Sequence, residues 1–361
     1  MNNEFTYWQP TKIQFTHNWL TALIPLVKNR RVLLVTSKGF VTRGIVETIT
    51  SNIPSVSYVC DNIVSHPELK DLQKAYKDAH VYKYDCIIAI GGGSVLDAAK
   101  FLSVIISNAE GKSAIDSVTR LVKDSTSVSG YATLPIIAIP TTSGTGSEVT
   151  PWATIWDSEI KKKYSLHLPT LFSEAAIYDP NLTISLPIDI TRQTALDTLS
   201  HALESIWNKH ATPITVQHAI TAAQLIYKHL PSLLFEPTNL ALREQIMLAT
   251  MHAGMAFSQT QTAMAHALSY YITANKGIPH GIACSFTLPM LIDEVIGQYD
   301  FVDNALKAIF TELSSDPLRE MYKSIGLLTE FSDYGLSDSE VVNLIESVNN
   351  QPRAKNSLVS L

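Results

Sequence analysis

The sequence predicts an α/β amino-terminal half followed by an all-α carboxy-terminal half. Three observations carry this. Short apolar runs rich in β-branched residues recur before residue 140 and end at glycine or proline, as strands buried on both faces do. Helix-length segments separate them, the pattern of βαβ units on a parallel sheet. After about Ile184 the strand-like runs stop and long amphipathic stretches follow one another.

Taken in order, Arg31–Thr36 is the first such run and ends at Ser37-Lys38-Gly39. Leu69–Ala79 is a helix-length segment, and Asp85–Ile90 is a second run ending at Gly91-Gly92-Gly93. Leu134–Ile139 is a third, with Pro135 near its start and Pro140 just beyond. Farther on, Leu196, Leu199, Leu203 and Trp207 recur at helical spacing. The chain has 361 residues, so two domains are expected at roughly 100–200 residues each. The boundary falls near Pro187, where Leu186-Pro187-Ile188-Asp189 precedes the first long helix, giving residues 1–185 and 186–361.

Apolar residues make up 46% and charged residues 17% of the chain, which argues for compact cores and against disorder. The net charge of −6, with no basic block, gives no footprint for nucleic acid or an anionic membrane. Cys60, Cys86 and Cys284 are odd in number and lack metal-type spacing, so neither a disulfide framework nor a cysteine zinc site is expected, and a reducing cytoplasm fits. The start MNNEFTYWQP has neither a basic nor an apolar leader region, so no signal or transit peptide is expected. From Gln245 to Asn275 there is no charged residue for 31 positions, but His252, Gln259, Gln261 and His266 interrupt the stretch. Buried helices, not a membrane span, are the reading. A homodimer or higher homo-oligomer is expected.

Chemistry is concentrated in three places. Gly91-Gly92-Gly93-Ser94 follows a strand and opens a helix that also carries Asp97, so backbone amides and a helix N-terminus face one point, as a pyrophosphate requires. It is neither the G-x-G-x-x-G fingerprint nor a P-loop. Pro140–Thr150 holds six hydroxyl residues, including Thr141, Thr142, Ser143 and Thr145, after another strand end, which suits a ribose and phosphates. Asp197 and His201 lie four apart on one helix face. With His266 and His280 they form a donor set suited to iron or zinc.

Gly91-Gly-Gly-Ser…Asp97, Pro140–Thr150, Asp197…His201 and Pro279-His280-Gly281, in this order and spacing, resemble the iron-containing (group III) alcohol dehydrogenases. The resemblance runs over nearly the whole chain. It implies a dehydroquinate synthase-like fold, with an α/β nucleotide-binding domain and a helical domain carrying Fe2+ or Zn2+, and NAD(P)H meeting a carbonyl between them. A divalent ion polarising that carbonyl, cofactor contacts from the glycine and threonine loops, and proton delivery by His266 are implied with it. Within the family, Lys162–Leu166, Ser200–Asn208 and Ile278–Pro289 resemble the phosphonoacetaldehyde reductases. That implies reduction of phosphonoacetaldehyde to 2-hydroxyethylphosphonate.

Where the family pattern has His-x-x-x-His, the first position is read as Thr262 and the second as His266. His266 is then either a fourth ligand beside Asp197, His201 and His280, which is the expectation, or a proton carrier; a weak or absent metal site is the third option. Ser37 and Lys38 stand where NAD-preferring relatives place an Asp, so NADPH is expected to serve at least as well as NADH. Lys163 aligns with a family lysine beside the active site, and is expected to meet both the cofactor and the anionic head of the substrate; Lys162 and Asn208 are weaker candidates. Gln261 stands where the branch pattern carries an Arg, which makes another small aldehyde the competing substrate. A general short-chain alcohol dehydrogenase, a dehydroquinate synthase-like lyase and a catalytically degenerate binding protein are the other readings.

Overall fold

In the computed structural model residues 4–108, 116, 119–120, 122–123, 130–160 and 162–361 are described. They cluster into two compact units, one of residues 9–142 and 147–182, the other of residues 183–361 joined by the start of the chain and Ser143–Gly146.

The first unit is built on a six-stranded sheet. Its strands are β1 (Lys12–Phe15), β2 (Val32–Val35), β3 (Val56–Cys60), β4 (Cys86–Gly91), β5 (Ile136–Pro140) and a later strand, Ala175–Tyr178. Between β5 and that strand come β6 (Trp152–Asp157) and β7 (Lys162–His167), an antiparallel pair of their own. Ala175–Tyr178 is therefore β8, and the large sheet runs in the order β1-β8-β5-β4-β2-β3, every pair parallel. Every residue of β2, β4 and β5 is buried, because helices cover both faces. Leu33, Val35, Ile87 and Ala89 join the core on one side, and Val32, Leu34, Cys86, Ile88 and Ile90 the core on the other. This is the period-two alternation of strands. The helices are α1 (Trp19–Val27), α2 (Lys38–Thr42), α3 (Ile45–Asn52), α4 (Leu69–Ala79) and α5 (Gly93–Ser107).

A buried ammonium ties α5 to the β6–β7 pair. Lys100 is 1% exposed, and its Nζ donates to the carbonyls of Ser147 (2.6 Å), Thr150 (2.8 Å) and Trp152 (2.6 Å). Burial pulls its pKa down to about 8 against the opposing pull of Asp97 and Glu148. Lys100→Met leaves those carbonyls unpaired and is expected to cost about 3 kcal/mol or more, read as a lower midpoint of thermal unfolding. An unfolded lysine keeps its proton up to its ordinary value of 10.5, whereas the folded one loses it near 8. Between those pH values the unfolded state binds more protons, so raising the pH adds stability to the wild type and not to the variant. The gap in midpoint should widen across that window.

The second unit is helical. It comprises α6 (Ile188–Ile206), α7 (Pro213–Phe235), α8 (Leu240–Thr260), α9 (Met264–Lys276), α10 (His280–Ala283), α11 (Leu288–Val295), α12 (Asp300–Phe310), α13 (Asp316–Ser324) and α14 (Asp338–Asn349). The charge-free stretch is the greater part of α8 and α9, whose Ile246, Ala249, Ala253, Ala256, Leu268 and Ile272 lie in one core with Leu199, Leu203 and Trp207 of the α6 stripe. Among the described residues no helix is long and apolar enough to cross a membrane.

Candidate active site

The glycine loop forms as its sequence demands. Gly91 ends β4, Gly92 is extended, and Gly93 opens the fifteen-residue α5, whose first turn carries no acidic residue. A Cβ on Gly92 would stand 3.2 Å from the Thr142 side chain, and Thr141 N donates to Gly91 O at 3.0 Å. The two loops named from the sequence are thus adjacent through Thr141 and Thr142, and the donor-rich, acid-free cradle they make fits the phosphates of a dinucleotide. Ser94 lies on the first turn of α5, where its hydroxyl accepts from His66 N at 3.2 Å.

The other expected cofactor residues lie as follows. Ser143 and Thr145 belong to the segment that clusters with the helices, where Thr198 Oγ1 donates to Gly144 O at 3.2 Å. Asp97 is fully held by local partners. It accepts from Ser147 Oγ (2.7 Å) and Thr154 N (2.9 Å), and burial raises its pKa against the pull of Lys100. Ser37 precedes α2 and makes no capping hydrogen bond. Lys38, expected to favour a 2′-phosphate, is paired: Asp61, just past β3, accepts from its Nζ with both carboxylate oxygens at 2.7 Å. Lys163 is half-buried on β7 with its Nζ 5.6 Å from the Trp156 ring centre, and Lys162 is exposed.

In the helical unit, the site is assembled around Asp197. His201 Nε2 lies 3.7 Å, His266 Nε2 3.4 Å and His280 Nε2 3.7 Å from the same oxygen, Asp197 Oδ1. Asp197 and His201 come from successive turns of α6, His266 from the first turn of α9, and His280 opens α10. Gly281 makes this last approach possible, since a Cβ there would lie within 1.9 Å of Gln193 O on α6. His201 stacks between Phe257 (4.1 Å) and His266 (4.6 Å), which fixes its ring. Burial raises the Asp197 pKa, but the three imidazoles outweigh it and hold the carboxyl well below its usual range.

Glu204, one further turn along α6, orients His266. Its carboxylate accepts from His266 Nδ1 at 2.6 Å and from the amides of Ala263 (3.0 Å) and Ala265, capping a helix whose own N-cap residue, Ala263, has no side-chain oxygen. With Nδ1 donating to Glu204, the second nitrogen points its lone pair at Asp197; the tautomer follows from these partners. His266 Nε2 is buried and makes no hydrogen bond. A lone pair and a carboxylate oxygen 3.4 Å apart need a cation between them. Ligand atoms roughly 2.0–2.2 Å from one ion stand about 3.3–3.6 Å apart in a tetrahedral site, so the residues fit a divalent transition metal. Without it the charge falls to a proton: burial lowers the His266 pKa, but Glu204 and Asp197 outweigh it and raise it to about 9.

Two sequence readings change here. Thr262 is not in the cluster; its hydroxyl accepts from Arg353 Nη1 at 2.6 Å. His266 is the residue of this segment that reaches Asp197, and Tyr270 stands four positions on. Cys284, which lacked any sequence signal, has its Sγ 3.6 Å from Asp197 Oδ1, and ligand atoms of Asp197, His266, His280 and Cys284 all lie within 4.8 Å of one another. Asn208 is spent on local structure, donating to Gln261 O at 3.2 Å and accepting from His210 N at 2.9 Å. Gln261 is exposed at the end of α8.

Comparison with known proteins identifies the family. Residues 10–180 match the iron-containing alcohol dehydrogenase family, and residues 191–357 match the C-terminal region of the Fe-containing alcohol dehydrogenase family. The probable alcohol dehydrogenase EutG of Escherichia coli (strain K12) is 36% identical over 253 residues, 70% of this chain and 62% of that protein, so the match spans less than two thirds of that relative. Sulfoacetaldehyde reductase of Bilophila wadsworthia (strain 3_1_6) is 30% identical over 314 residues, 80% of this chain and 78% of that protein. The crystal structure of sulfoacetaldehyde reductase from Bifidobacterium kashiwanohense in complex with NAD+ superposes with a TM-score of 0.91 at 29% identity, covering 99% of this chain and 96% of that one. An iron-containing alcohol dehydrogenase from Thermotoga maritima gives 0.83 at 29% identity with the same coverage. The chain belongs to the iron-containing alcohol dehydrogenase family.

Proposed function

We propose that this chain reduces a small aldehyde bearing an anionic head to its primary alcohol, with phosphonoacetaldehyde as the leading substrate and sulfoacetaldehyde as its isostere. The observation that carries the redox reading is the convergence of three imidazole nitrogens on Asp197 Oδ1. The anionic head is supported by the segments at Lys162–Leu166, Ser200–Asn208 and Ile278–Pro289 and by the likeness to sulfoacetaldehyde reductases.

Asp197, His201, His266 and His280 would hold the ion, which supplies Lewis-acid polarisation of a carbonyl. With Nδ1 committed to Glu204 and Nε2 to the cluster, His266 has no proton to deliver, so it serves as a ligand and not as the proton carrier. The cradle of Gly91–Gly93 with Thr141 and Thr142 would hold the dinucleotide that supplies hydride, with Lys163 against it. Metal analysis of the purified protein, then NADH and NADPH oxidation with phosphonoacetaldehyde, sulfoacetaldehyde and propanal, tests this. Oxidation of neither cofactor with any aldehyde overturns it, and net oxidation with free aldehyde excludes a lyase that keeps NAD bound.

The Lys38–Asp61 pair moves the cofactor reading toward NADH, because a 2′-phosphate must meet the Asp61 carboxylate along with the ammonium. Asp61→Asn is expected to raise kcat/KM for NADPH relative to NADH by on the order of tenfold, the effect of removing one nearby like charge. An unchanged ratio in steady-state assays refutes a place for the cofactor's adenosine ribose beside Lys38 and Asp61.

A further inference from the structure

The C-terminal segment brings a guanidinium to Thr262, the residue after Gln261. Lys209 N donates to Asn356 O (2.8 Å), Leu358 N donates to Trp207 O (3.0 Å), and Asn356 Nδ2 donates to Thr262 O (3.0 Å). This return pins the C-terminal segment beside the loop that precedes α9. Arg353 consequently reaches Thr262 Oγ1 with Nη1 at 2.6 Å and lies with its guanidinium carbon 5.3 Å from the centre of the Tyr270 ring. The Tyr270 ring lies parallel to that of His280, 6.2 Å away with 8° between planes. The guanidinium and a histidine of the cluster thus share Tyr270 as a neighbour.

Arg353 differs from the arginines that pair with a carboxylate, which include Arg192 with Asp189. Arg30, Arg31 and Arg319 each pair with a carboxylate, on Glu174, Asp85 and Asp293 respectively. Arg243 is buried and bonds through all three of its nitrogens. Arg353 is half-buried, uses a single N–H on a neutral hydroxyl, and among the described residues has no carboxylate within 4 Å. A hydroxyl and a ring face fix the guanidinium without neutralising it, leaving four N–H donors and a full charge. Arginine in that state matches the oxygens of a phosphonate or sulfonate bidentately, at about 2.7–2.9 Å.

We propose that Arg353 is the specificity-determining residue that holds the anionic head of the aldehyde, its charge entering from the C-terminal return where the pattern would have placed it at 261. This rests on the reductase reading above. The test uses the full-length, metal-loaded protein with Arg353→Met and Arg353→Lys. For each, kcat/KM is measured with phosphonoacetaldehyde, sulfoacetaldehyde and propanal. The anionic-to-neutral ratio should fall on the order of 100-fold in the Met variant, chiefly through KM, and recover in part in the Lys variant. A ratio that stays put, with turnover of all three aldehydes lost together, would mean Arg353 only supports the fold. Binding of 2-hydroxyethylsulfonate, followed by calorimetry, needs no turnover. It should weaken at least tenfold in the Met variant, and equal binding by wild type and variant, or none by wild type, overturns the proposal. If wild type oxidises no cofactor with any aldehyde, the reductase reading fails on its own, while calorimetry still decides whether Arg353 holds the anion.

Discussion

Asp197→Ala is expected to lower kcat/KM for aldehyde reduction by on the order of 10³-fold or more, the several kcal/mol that carbonyl polarisation supplies. The reason lies in the shared oxygen. His201, His266 and His280 approach Asp197 Oδ1 at 3.7, 3.4 and 3.7 Å, so removing that oxygen leaves three neutral donors with no anion to balance a divalent ion. Metal content of the purified variant should drop well below that of wild type. Dinucleotide binding, followed by NADH fluorescence, should persist, since the cradle proposed for it, Gly91–Gly93 with Thr141 and Thr142, belongs to the other compact unit. Asp197→Asn keeps an oxygen but removes the charge, and should retain some metal at reduced activity. Wild-type turnover in Asp197→Ala would refute the role given to the cluster.

What the sequence made legible follows from how local each signal is. The runs that became β2, β4 and β5 were readable because burial on both faces makes every position apolar. β1 (KIQF) and β3 (VSYVC) lie at the sheet edges with mixed exposure, and β8 (AAIY) is only four residues, so none shows as a continuous apolar run. Asp197 and His201 were visible as an i, i+4 pair on one helix. Glu204 stands seven residues from Asp197 on the same face, yet its work is done on amides at 263 and 265, which no local pattern reveals. The same holds for Asp61 on Lys38, Arg353 on Thr262 and Cys284 beside Asp197. Spacing alone cannot say whether Thr262 or His266 faces the carboxylate; a 3.4 Å contact from His266 does.

Glu204 is where helix capping and metal binding meet, and its variants should separate them. Glu204 is fully buried, and its two oxygens take amides at the start of α9 together with the His266 ring. Glu204→Ala strips the acceptor from all of these at once and leaves them enclosed, so a loss of about 3–5 kcal/mol is expected, as for breaking a buried ion pair. Glu204→Gln keeps one carbonyl oxygen for the amides but puts an NH2 where the second oxygen stood. Either that group opposes an amide, or it faces the His266 ring, which then accepts at Nδ1 and carries its proton on Nε2, the nitrogen aimed at Asp197. Stability should fall by about 1–3 kcal/mol, whereas metal affinity, read by competition with a chelator, should weaken 10–100-fold, as for other partners that orient a ligand histidine. If Glu204 only capped the helix, the Gln variant would lose stability in thermal unfolding while binding metal as tightly as wild type. The 2.6 Å bond to His266 Nδ1 argues instead that metal affinity falls further than stability alone accounts for.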